Sequence, residues 1–138
     1  MAKFIIVKVY DGAEYDARER GFSWALQSSS LYIYTPTREI AENMAKDVLP
    51  SATLLKAMLK TNTYTYRKTT MNLCFGNGAE ACGSLPAKSF TGNILLCYSS
   101  PNDTDWLLKR APNANFCLLP KLASEAEAWK KLHHPKII

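Results

Sequence analysis

The chain has 138 residues, 47% of them apolar and 21% charged, a mixture that builds one globular domain with a buried core and excludes disordered, collagen-like and disulfide-dense classes. No apolar run reaches the roughly 20 residues of a membrane helix, and the stretch from Phe4 is broken at Lys8 with no small-residue cleavage site after it, so a cytoplasmic protein is expected. The net charge of +5 suits acidic partners, yet the seventeen Lys and Arg are scattered. Their one concentration, Lys130, Lys131, His133, His134 and Lys136, reads as a frayed helix end whose cations complement the helix dipole.

Residues 3–10, rich in β-branched types, predict a first strand closed by a turn at Asp11-Gly12. A helix carrying Tyr15, Phe22, Trp24 and Leu26 is expected within 13–27, with Gly21 inside it, and a short strand follows at 31–34. Thr35-Pro36-Thr37 supplies capping hydroxyls and a first-turn proline, after which Ile40, Ala41, Met44, Ala45 and Val48 recur at helical spacing. Pro50 breaks that helix, and Ser51 starts another with a stripe of Leu54, Leu55, Met58 and Leu59.

Residues 63–75, full of Thr and Tyr, suit one or two antiparallel strands, while the glycines and proline of 76–92 mark a long loop, functional or mobile. An apolar strand at 93–98 runs into Ser100-Pro101-Asn102-Asp103, a helix start, and that helix stops before Pro112. Another apolar strand spans 115–119, and Ser124-Glu125-Ala126-Glu127 forms a capping box for a last helix through Trp129 and Leu132. Strand, helix, strand, helix is the pattern of parallel βαβ units. The fold expected is a small three-layer α/β sandwich of the Rossmann-like or flavodoxin-like kind. It would be a single domain over 1–138 with four or five mostly parallel strands and an antiparallel Tyr/Thr strand.

In such sheets ligands bind beyond the strand C-termini, where helix N-termini point spare N–H groups outward. That edge would carry Asp11, Thr35, Thr37, Arg38, Ser99, Ser100, Asn102 and Asp103, together with Lys121, as a site for a nucleotide-like or phosphorylated ligand. Thr35, Thr37 and Ser100 are also ordinary helix caps, worth about 1 kcal/mol each in that role. Gly76-Asn77-Gly78 leads into no phosphate loop, and the chain has no G-x-S-x-G elbow. Cys74, Cys82, Cys97 and Cys117 lack the close pairing of a zinc site, and a reducing compartment disfavours a Cys74–Cys82 disulfide. Asp103 and Asp105, two apart, do not share a helix face as magnesium ligands would. No catalytic residue, metal or cofactor is assigned, which leans away from an enzyme. Two other readings stand beside the ligand site: a protein-interaction module of regulator, inhibitor or immunity type, and nucleic-acid binding through Tyr64, Tyr66, Lys68 and the C-terminal basic cluster.

Overall fold

Apolar residues at helical spacing and uninterrupted apolar runs alternate along this chain, and a computed structural model shows how they assemble; it describes residues 3–9, 12–48, 51–66 and 68–138. Asp11, Pro50 and Arg67 lie outside the described residues, as do the side chains of Val48, Tyr66, Asn102 and Asp103. The elements run β1 (Phe4–Ile6), α1 (Glu14–Ala25), β2 (Ser30–Thr35), α2 (Arg38–Val48), α3 (Ala52–Thr61), β3 (Thr63–Tyr66) and β4 (Thr69–Phe75). A 3-10 turn (Gly78–Glu80) and β5 (Cys82–Gly83) follow, then β6 (Asn93–Cys97), α4 (Pro101–Arg110), β7 (Asn115–Leu119), α5 (Ala123–His133) and β8 (Lys136–Ile137).

The fold is α/β, with five helices and one mostly parallel sheet among the described residues. Its order is β3-β4-β2-β6-β7-β1-β8, with β5 paired to β4. Only β3 and β5 run antiparallel, both against β4. Eight strands stand where four or five are expected from the sequence. The two-residue β5 and β8 are too short for any periodicity to announce, and the Thr/Tyr segment takes the two-strand form of the one or two antiparallel strands expected there, the β3–β4 hairpin.

Helices cover both faces. Ala17, Trp24 and Ala25 of α1 pack with Met44 and Ala45 of α2 and Met58 of α3 against Leu31, Ile33, Leu73 and Leu95 on one face. Leu107 of α4 and Trp129 of α5 meet Ile6, Tyr34, Ile94, Leu96 and Phe116 on the other. Gly21 is where α1 approaches the sheet: a Cβ there would stand 3.3 Å from Leu95 Cδ1. β6, buried along its whole length, accounts for the unbroken apolar run at 94–97.

The sequence reading is corrected at two further places, and the loop 76–92 gains definition. The C-terminal residues are more than a frayed helix end: β8 pairs in parallel with β1, and the Ile138 carbonyl accepts from the Lys8 N–H (2.9 Å) and Arg20 Nη1 (2.8 Å). The final helix begins before the expected box, with Leu122 in the capping position and no side-chain cap, because the turn after β7 already enters the helix there. The loop 76–92 is held down at many points. Tyr34 Oη donates to the Gly76 carbonyl (2.7 Å), Arg110 Nε to that of Pro86 (2.7 Å), and Phe90 packs edge-on to Tyr32. Leu85 and Phe90 thereby extend the apolar layer on the face of α4 and α5.

Candidate functional site

In an open parallel sheet, a crevice forms beyond the strand C-termini wherever two neighbouring strands lead into helices on opposite faces. This sheet has two such places. β2 leads to α2 on one face while its neighbour β6 leads to α4 on the other, and β1 leads to α1 while its neighbour β7 leads to α5.

Of the expected residues, Thr35, Thr37, Arg38 and Ser99 lie at the β2/β6 crevice with their side chains bonded within the chain. Thr35 is fully buried, its hydroxyl donating to the Thr37 carbonyl (2.7 Å), and Thr37 Oγ1 accepts from the Ile40 N–H (3.3 Å) as a helix cap. Arg38 turns along α2: it pairs with Glu42 (3.2 Å), donates to the Leu59 carbonyl (3.2 Å) and lies 5.7 Å from the centre of the Phe75 ring. Ser99 is fully buried and donates to the Cys97 carbonyl (3.3 Å), while the Ser100 carbonyl accepts from Thr104 Oγ1 (3.3 Å). Asn102 and Asp103 fall in the first turn of α4 by their backbone.

The β1/β7 crevice is open. It holds a cleft of about 540 Å³, within the roughly 300–1,000 Å³ range of small-molecule sites. Val7 and Leu119, both buried, form part of its floor. One wall is the face of α1 at Glu14, Ala17 and Arg18; the opposite wall is the face of α5 at Ala123, Ala126, Glu127 and Lys130. Both sets follow the three- and four-residue spacing of a single helix face. Alanines at three of these positions leave the space between the helices unfilled. Leu122 and Ile137 stand on the rim, each more than half exposed.

The electrostatics favour an anion. Lys8, Arg18, Lys121 and Lys130 line the cleft against Glu14 and Glu127, and one of those carboxylates already faces Lys130 at 3.4 Å. Both helices also present their N-termini to it, with Ala13 and Leu122 in the capping positions and no side-chain cap on either. Uncapped first-turn N–H groups and the positive end of the helix dipole add to the field of the four cations.

Among the described residues expected at the sheet edge, only Lys121 lines this cleft. Arg18 and Tyr98 were not anticipated, and Lys130 was expected only within the C-terminal basic cluster. The alanine spacing 123/126 and the Pro120-Lys121 turn after a strand were visible in the sequence, but nothing there shows that β7 neighbours β1. Among the described residues no three His, Cys, Asp or Glu side chains gather as metal ligands, and no helix is long and apolar enough to cross a membrane. All four cysteines are free, and Cys82 alone is exposed. Tyr64 of the candidate nucleic-acid surface is half-buried against the core beneath α1–α3. No protein-family model matches the chain, and neither the curated proteins nor the solved structures give a significant match to it.

Proposed function

We propose that this chain is a non-catalytic binding domain for a small phosphorylated ligand, held at the strand C-terminal edge in the cleft between β1 and β7. The observation that carries the reading is the convergence of four cationic side chains and two helix N-termini on one cleft at a crossing point of the sheet. Helices on both faces of a mostly parallel sheet suit a doubly wound, Rossmann-like architecture, in which this edge is the usual binding place. Free cysteines suit a cytoplasmic setting.

The test is a thermal-shift and calorimetric screen of the whole chain against inorganic phosphate, pyrophosphate, sugar phosphates and nucleotides. A ligand present at about a hundred times its dissociation constant adds roughly 2.7 kcal/mol of stability, a shift of several degrees. Lys121→Glu with Lys130→Glu should abolish that shift and leave the unliganded protein about as stable as before. Arg38→Ala with Ser100→Ala should leave binding intact. The reverse pattern would place the ligand in the β2/β6 crevice. A flat response across the panel would overturn the proposal in favour of a protein-interaction module.

A further inference from the structure

Resting on the phosphate-binding reading, we infer that the β1/β7 cleft takes a nucleoside phosphate and that Tyr98 is the residue that reads its ring. Three described residues other than glycine have positive φ: Asn62, Tyr98 and His134. Asn62 and His134 are the left-handed C-caps of α3 and α5, where that conformation is the ordinary way to end a helix. Tyr98, at φ 57°, caps no helix. It follows the last residue of β6, and a bulky aromatic side chain is disfavoured in this region of backbone space.

The consequence of that conformation can be read from the packing. Along β6, Leu96 faces the α4–α5 side and Cys97 the α1–α3 side, so strand alternation would send Tyr98 to the α4–α5 side. Instead Tyr98 packs with the α1–α3 cluster and lines the cleft beside Leu119. Its own N–H donates to the Leu119 carbonyl (2.9 Å), which fixes the residue to the strand that floors the cleft. The left-handed turn therefore moves an aromatic ring out of register and into the wall of the cleft.

A bare phosphate would need only the cations and the helix N-termini. It gives no use to an aromatic wall, nor to the exposed Leu122 and Ile137 on the rim. A ligand with a phosphate at one end and a planar ring at the other satisfies both halves of the cleft, because aromatic side chains stack on any base through its π-face.

The experiment is isothermal calorimetry on the full chain with the four common nucleoside 5′-monophosphates, ribose 5-phosphate and inorganic phosphate. At least one nucleotide should bind at least tenfold tighter than ribose 5-phosphate. Tyr98→Gly suits the backbone conformation and removes the ring; it should bring the nucleotide down to the ribose 5-phosphate affinity while changing the latter less than twofold. Tyr98→Phe should retain tight nucleotide binding, and Tyr98→Leu serves as the second ring-free variant should the glycine form fail to fold. Ribose 5-phosphate binding as tightly as every nucleotide, or ring-free variants binding nucleotides like wild type, would overturn the role of Tyr98 and leave the phosphate cleft standing. No binding of ribose 5-phosphate, phosphate or any nucleotide would overturn both readings together.

Discussion

Asn72 joins three segments through one side chain, and its removal measures how firmly the loop 76–92 is fastened. The residue sits in β4 and is 7% exposed. Its Nδ2 donates to the Leu31 carbonyl of β2 (3.1 Å), and its Oδ1 accepts from Thr63 Oγ1 at the start of β3 (3.2 Å) and from Ser84 Oγ in the loop (3.1 Å). At a net worth of about 1 kcal/mol per hydrogen bond, Asn72→Ala forfeits roughly 3 kcal/mol. Thr63 and Ser84 are half-buried and recover part of that from water, which leaves an expected loss of about 2 kcal/mol. For a chain of 138 residues that corresponds to a fall in melting temperature of roughly 6–8 °C. Urea unfolding monitored by circular dichroism gives the free energy, and limited proteolysis should show faster cleavage within 76–92. Ser84→Ala, which breaks only the loop's bond, should cost about 1 kcal/mol or less. An Asn72→Ala protein within about 0.5 kcal/mol of wild type, with the loop equally resistant, would refute the view that this network fastens the loop.

Three further outcomes are expected. Gly92→Ala should destabilise by about 1–3 kcal/mol in the same unfolding assay, because its Cβ would fall 2.5 Å from the Ser30 carbonyl oxygen and 2.6 Å from Ser28 Oγ. Only Cys82 should react with a thiol reagent under native conditions: burial pushes the thiols of Cys74 and Cys117 up to about 12 and that of Cys97 up as well, so Cys82→Ser should leave an inert protein. His133, stacked on Phe4 and tilted against Trp129, is held below the ordinary histidine range by burial, partly opposed by Asp105. The unfolded chain therefore takes up the proton first as pH falls, so this residue's contribution is complete above about pH 6.5 and is lost below it. Urea titrations of wild type and His133→Phe across that window should diverge, the variant losing less stability in acid.

The elements that carry their own periodicity or capping chemistry were legible in the sequence. The stripe of Ile40, Ala41, Met44 and Ala45 is the face of α2, Ser51 caps α3 by accepting from the Leu54 N–H, and the run at 115–119 is β7 residue for residue. What escaped depends on partners distant in the chain. β8 exists because Lys136 and Ile137 meet Ile5 and Ile6 some 130 residues earlier, a pairing that two residues cannot signal. The expectation of a mobile or functional loop at 76–92 rested on its length; the bonds that hold it come from Tyr34, Asn72 and Arg110 on three different elements, which length and composition do not announce. Tyr98 looked like the last residue of a strand; the reversal of its side chain is a backbone event that residue type alone does not announce.

The candidate site was legible to the level of an edge but not of a crevice. Rules of βαβ topology place ligands beyond the strand C-termini, and both crevices of this sheet lie there. Side-chain size and hydrogen bonding then distinguish them. At β2/β6 the hydroxyls that look available in the sequence, Thr35 and Ser99, are fully buried and donate to carbonyls two residues away. At β1/β7 the positions that would close the gap are Ala17, Ala123 and Ala126, and around them four cations outnumber two carboxylates. Arg20 ties this second crevice together from behind. Its guanidinium donates to the Lys8 carbonyl and the Ile138 carbonyl, linking the end of β1, helix α1 and the strand that carries Ile137 to the rim. A cleft kept open by small residues on both walls, with its α1 wall tied to β1 and to the C-terminal strand, has the preorganisation that a ligand site needs if binding is not to be spent on assembling it.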